Sequence, residues 1–125
     1  MPPAEAGTVT TGLLEGHIVE TLYRGHMCSD MGDEVLQSLE RLLPRHRGAD
    51  LLIDVSCASG FTPIPRPVTE AIFDAFKKNA GRRIAVVMTG SAFRMMGTTF
   101  AFAFRLPMKM FDTRDAALAH LRTEP

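Results

Sequence analysis

Two short apolar runs constrain this chain more than any other feature. Leu51–Val55 reads LLIDV and Arg83–Met88 reads RIAVVM, and neither alternates apolar with polar residues. A strand that is apolar at consecutive positions needs cover on both faces, as a parallel strand inside an α/β layer structure has. The stretch between the runs agrees, because Val68, Ile72 and Phe76 recur at helical spacing within Val68–Ala80. Strand, helix and strand in succession make a parallel crossover, right-handed by the usual rule.

The rest of the chain extends this pattern. Thr8–Leu14 (TVTTGLL) and His17–Arg24 (HIVETLYR) are β-prone runs joined by Glu15-Gly16, a spacing that suits a hairpin. Ser29 and Asp30 offer N-caps to a first helix, with Asp33 and Glu34 in its first turn, where the helix dipole favours acids. Val35, Leu36, Leu39, Leu42 and Leu43 form its apolar stripe, and Pro44 ends it. The segment SCASGFTPIPRP reads as a loop before the second helix, and Gly81 as a left-handed cap after that helix. Thr89-Gly90-Ser91 leads into a third helix, AFRMMGTTFAFAF at Ala92–Phe104. Pro107–Phe111 is a short last strand, and Asp112 or Thr113 caps a final helix that turns Ala117, Leu118 and Leu121 inward. The order is ββαβαβαβα, an α/β fold with a mostly parallel central sheet, an N-terminal hairpin and helices packed against the sheet. Residues 1–7 read as a loose tail and 8–125 as a single domain.

Composition removes several classes of function. Lys+Arg and Asp+Glu are equal at 14 each, so there is no general attraction for nucleic acid or an anionic membrane. The start MPPAEAGTVTTG has neither the basic nor the apolar region of a signal peptide. No apolar run reaches the roughly 18 residues that a spanning helix needs. The expectation is a soluble cytoplasmic protein without integral membrane association. Cys28 and Cys57 form no CxxC pair, and His26-x-Cys28 is the one close pair that could begin a metal site. Structural zinc needs three or four ligands, so His17, His26, His46 and His120 read as surface histidines and no metal or cofactor is expected.

The order of elements, in a chain this short, resembles the STAS domain of anti-sigma-factor antagonists such as SpoIIAA and of sulfate-transporter tails. LLIDVSCASGF resembles that family's strand and loop, GRRIAVVMTGSAFRMMG its next strand and helix start, and MFDTRDAALAHL its closing strand and helix. The likeness is to the stand-alone bacterial, SpoIIAA-like members and covers roughly Thr8 to Arg122. It implies a non-catalytic regulatory or scaffold role through protein–protein interaction. In the antagonists a D-S-S-G-like motif at the next helix start carries the serine that a partner kinase phosphorylates. Here Thr62, Pro63 and Ile64 fall about there, the acid is missing, and Ser59 and Thr62 are the nearest hydroxyls. Any phosphorylation in this loop is expected on one of those two.

The residues themselves offer few catalytic arrangements. There is no G-x-S-x-G elbow, H-E-x-x-H or paired-carboxylate motif, and the chain is not read as an enzyme. Asp54, at the expected C-terminal end of its strand, reads as bonded to backbone amides of the following loop, with a ligand contact as the alternative. Ser91 in TGSAF reads as a plain N-cap, since neither phosphate-loop pattern is present. Pro63, Pro65 and Pro67 make a stiff arm, equally a rigid approach to the second helix and a pre-ordered recognition loop.

The third helix is apolar on more than one side. Phe93, Gly97, Phe100 and Phe104 make one core stripe, while Met95 and Phe102 lie off it. That second face is extra core, a protein partner or homo-oligomer contact, or the cover of an apolar pocket. The partner reading is preferred. It assigns binding to Ser59, Phe61, Thr62, Pro63 and Pro65 in the loop, with Arg94, Met95 and Phe102 on the helix. The alternative is a carrier or sensor of a small apolar, lipid-like molecule held under the Phe/Met-rich helix.

Overall fold

The computed structural model describes residues 7–28, 30–61, 66–88, 105 and 107–123, with backbone only at 59–61. Its elements are β1 (Thr8–Glu15), β2 (Ile18–Met27), α1 (Asp30–Leu42), β3 (Asp50–Phe61), α2 (Arg66–Lys78), β4 (Ile84–Val87), β5 (Met108–Phe111) and α3 (Arg114–Arg122). The expected helix at Ala92–Phe104, with its core stripe and Ser91, lies outside the described residues.

The five strands lie in sequence order, β1-β2-β3-β4-β5. The β1–β2 pair is antiparallel, and the other three pairs are parallel. This is the mostly parallel sheet with an N-terminal hairpin that the sequence predicts. The hairpin turn is Gly16-His17, one residue later than expected, because β1 runs on through Glu15 and Gly16 takes φ +45.

Alternation along the central strands splits the core into two layers. Val19 and Tyr23 of β2, Leu51 of β3, and Ile84 and Val86 of β4 face α1 and α2. From the helices come Met31, Val35 and Leu39, then Ile72, Phe73 and Phe76. The expected stripes hold, with Leu36, Leu42 and Val68 only half-buried at their edges. On the other face Ile18, Leu52, Ala85 and Val87 pack against Ala117, Leu118 and Leu121 of α3. Thr113, not Asp112, caps α3, its hydroxyl accepting from the Ala116 amide at 3.2 Å. The first helix ends at Leu42, and Pro44 sits in a 3₁₀ turn that prolongs it.

Two expectations about β3 and α2 need correction. β3 runs on to Phe61, so Ser56–Phe61 is strand rather than loop, because β2 continues to Met27 and pairs with it. The left-handed residue after α2 is Ala80, with φ 59, and Gly81 does not have positive φ. The Gly81 amide donates to the Phe76 carbonyl at 2.9 Å and the Ala80 amide to that of Lys77 at 3.0 Å, the double closure of a Schellman motif. Gly81 is needed for space instead: a Cβ there would lie 2.3 Å from the Phe76 ring.

Candidate functional site

β4 accompanies β3 only from Leu51 to Asp54, opposite Ile84 to Val87. Beyond that point β3 pairs, among the described residues, with β2 alone, Arg24 opposite Cys57 and Met27 opposite Phe61. Val55–Phe61 and the end of β2 thus make a ribbon beyond the carboxyl end of β4, roughly 20 Å long at strand rise, with the start of β1 beside β2 as far as the Gly7 amide, which donates to the His26 carbonyl at 3.1 Å. Register shifts between Leu22 and Arg24 and between Gly25 and His26 twist the ribbon. Gly25, at φ 73, supplies a conformation that a side chain would resist. In parallel α/β sheets this carboxyl edge is where ligands and partners are met.

An ionic cluster holds the base of the ribbon. Asp54 is 2% exposed, and its Oδ1 accepts from the Ser56 amide at 2.9 Å and the Ser56 hydroxyl at 2.6 Å. Its Oδ2 accepts from Arg114 at 3.1 Å, and the same guanidinium pairs with Glu20. Burial works against the charge on Arg114, but its bonds to Glu20 and Asp54 outweigh it and hold its pKa above the ordinary value. The expected bond from Asp54 to a backbone amide is present, although Asp54 lies within β3 rather than at its end. The arginine, sixty residues away in sequence, was not foreseen.

A second cluster closes the amino edge. Asp50 is fully buried and accepts from Arg83 Nη2 at 2.8 Å and from the Arg83 amide at 3.1 Å, and His17 Nε2 lies 3.1 Å from its Oδ2. Arg83 also donates to the carbonyls of His120 at 3.2 Å, Leu121 at 3.0 Å and Thr123 at 3.1 Å. His17 Nε2, 3.0 Å from the Leu121 carbonyl, must carry a proton to bond it. The His120 carbonyl also accepts from the Thr123 amide at 3.3 Å and hydroxyl at 2.6 Å, and cations at this end of the helix match its dipole. Burial, then Arg83 and Lys109, push His120 below the ordinary imidazole value against the pull of Asp50. The nine residues of α3 span about 13 Å, as do the four steps from Asp50 to Asp54, so one arginine fastens each end of the helix. These are structural fastenings, with their carboxylates already committed.

Two of the sequence-predicted site residues lie in the ribbon. Ser59 and Phe61 lie in β3, opposite the end of β2, with their side chains outside the description. Thr62, Pro63, Pro65, Arg94, Met95 and Phe102 lie outside the described residues. Pro67 sits in the first turn of α2, as expected. Among the described residues no three His, Cys, Asp or Glu side chains converge to hold a metal, and Cys28 and Cys57 are both free thiols. No helix among them is long and apolar enough to cross a membrane. A groove of about 290 Å³ between α1 and α2, lined by Leu36, Glu40, Pro44, Ala71, Asp74 and Lys78, is open and mixed in charge. It is just below the size of ordinary small-molecule sites.

The SpoIIAA-like family model matches residues 14–122. Among solved structures, the fold is similar to a protein with a SpoIIAA-like fold from Shewanella loihica PV-4, with TM-score 0.71 and 14% identity, covering 95% of this chain and 98% of that one. It is similar also to the anti-sigma factor antagonist SpoIIAA in its unphosphorylated form, with TM-score 0.69 and 11% identity, covering 94% and 100%. An anti-sigma factor antagonist from Mycobacterium paratuberculosis matches with TM-score 0.63 and 14% identity, covering 94% and 96%. At these identities the likeness is one of fold. A search of curated protein sequences gave no match.

Proposed function

The chain belongs to the SpoIIAA-like family, and from that membership we propose that it is a non-catalytic, cytoplasmic regulatory or scaffold protein that acts by binding another protein. It works as one domain over residues 8–125. Two of the solved structures it resembles are anti-sigma factor antagonists, whose role is regulatory. The observation that carries the reading is the β2–β3 ribbon, which stands beyond β4 on a base fixed by Asp54, Ser56 and Arg114. A rigid ribbon leading into a proline-rich segment presents that segment with little ordering cost on binding.

In this proposal the partner contacts Ser59, Phe61, Thr62, Pro63 and Pro65 together with Arg94, Met95 and Phe102. A phosphate on Ser59 or Thr62, adding a charge of about −1.5 to −2, would regulate that contact. With no D-S-S-G-like serine in the sequence, the switch used by the antagonists does not transfer as it stands.

The test begins with affinity capture from native lysate, then repeats it with Met95→Ser/Phe102→Ser and with Phe61→Ser. A partner held by the wild type and lost by folded variants is the expected result. Equal capture by all three proteins would refute the assigned surface. Native mass spectrometry of the purified chain covers the carrier reading, which a co-purifying apolar molecule without a protein partner would support.

A further inference from the structure

The two edges of the sheet are protected very differently. β5 is four residues long, and its exposed Lys109 reaches over the Phe111 ring at 5.8 Å. A short strand and a lysine are common protections against edge pairing. β1 has neither. It is eight residues long, and from Thr8 to Leu14 it contains no charge and no proline. It pairs with β2 on one side, and among the described residues it has no neighbour in the sheet on the other. The space beside Gly12 is open, and Leu13 and Leu14 are the two large hydrophobics most exposed among the described residues, at 44% and 36%.

We infer that β1 pairs antiparallel with β1 of a second copy, joining two five-stranded sheets into one of ten strands. The occupant follows from the chemistry of the edge. A two-fold axis brings each strand against itself in reverse, so any charge near the centre meets its like across a few ångströms, and this strand has none over seven consecutive residues. The register follows from the side chains. Pairing centred on Thr11 sets Leu13 opposite Val9 of the second copy and Gly12 opposite Thr10, with the register shift of β1 at Leu14 at the end of the paired stretch. The exposed Leu13 then meets the apolar layer that buries Val9 beneath α1. The free edge of β1 lies on the side of that strand away from β2, and association of the chain with itself is measured without any other protein, so the dimer stands or falls independently of that reading. Paired edges of this length bury a small area, and a dissociation constant in the micromolar range is expected.

The test is sedimentation of the full chain over a wide concentration range, with hydrogen exchange of the β1 amides read at both ends. Mass should double with concentration, and protection of Thr8–Leu14 should rise with it. Leu13→Lys/Leu14→Lys, at positions exposed enough to leave folding intact, should weaken association at least tenfold. Circular dichroism confirms that the variant is folded. Thr10→Lys provides a second folded variant if the first is not. A wild type that remains monomeric throughout overturns the inference, as does a dimer that survives either folded variant or leaves β1 exchange unchanged.

Discussion

The two faces of the sheet reach the same end by different physics. The face under α1 and α2 is broad and apolar, built from side chains such as Val35, Leu39, Phe73 and Phe76 against Val19, Leu51 and Ile84. Among the described residues the face under α3 is narrower, with Ala117, Leu118 and Leu121 as the buried apolar cover that the short helix supplies. On that face the buried polar residues Asp50 and Asp54 sit within the layer, each tied by an arginine to one end of α3. A large apolar area stabilises two long helices without any particular partner, whereas a nine-residue helix gains too little area and is fixed by directional bonds. Removing atoms should therefore cost in proportion to volume on one face and to orphaned charge on the other.

Phe76→Ala tests the apolar face most severely. Phe76 is fully buried, and its loss should destabilise by about 3–5 kcal/mol in denaturant melts. A loss below about 1 kcal/mol would mean that α2 contributes little packing.

On the other face, Asp50→Ala should cost a comparable ~3–5 kcal/mol, because it leaves Arg83 buried to 15% exposure without its anion. The discriminating measurement is the double variant Asp50→Leu/Arg83→Met, which removes both charges and should recover a large part of that loss. No recovery would show that the bonds of Arg83 to the α3 carbonyls, not charge pairing, fix the helix. The equivalent rescue has no counterpart at Phe76, which makes this pair of experiments the sharpest contrast between the faces.

Tyr23 gives a pH test of the apolar face. Burial raises its pKa from 10.0 to about 12, so the folded protein holds the phenol proton where the unfolded chain loses it. The unfolded state binds fewer protons in that window, and stability falls as pH rises from 10 to 12, by at most roughly 2.7 kcal/mol. Tyr23 is the single tyrosine and the chain has no tryptophan, so tyrosinate absorbance reports this site alone. Ionisation near 10 with the fold intact would contradict the burial of the ring.

The smallest effect is at the end of α2. Ala80→Gly relieves a left-handed alanine and should stabilise by up to about 1 kcal/mol. Gly81→Ala should destabilise, because its Cβ collides with the Phe76 ring of the same face. A protein indifferent to both would not hold this closure in solution.

Local pattern made much of this legible. The helical spacing of Val35, Leu39, Ile72 and Phe76 and the two-sided apolar runs are repeated along short stretches, and each stretch carries its own information about which face is buried. The hydroxyl of Thr113 and the acids opening α1 act within one helical turn, so they too can be read without knowing the fold. What could not be read depends on residues distant in sequence. SCASGF has no strand periodicity, and it is strand because Arg24–Met27 offers it a ladder of backbone bonds. Gly81 looks like a left-handed cap until the Phe76 ring is seen to occupy the space where a Cβ would go. Asp54 announces a local bond to Ser56 but nothing of Arg114, and Arg83 nothing of the three carbonyls it reaches. By itself, then, the sequence determined the described helices and strands, their order and the stripes that bury them, because those follow from the period of one helix or strand. Tertiary structure decided how far β3 runs, which residue turns left-handed and which charges meet, because each is settled by a backbone or ring that only folding brings near.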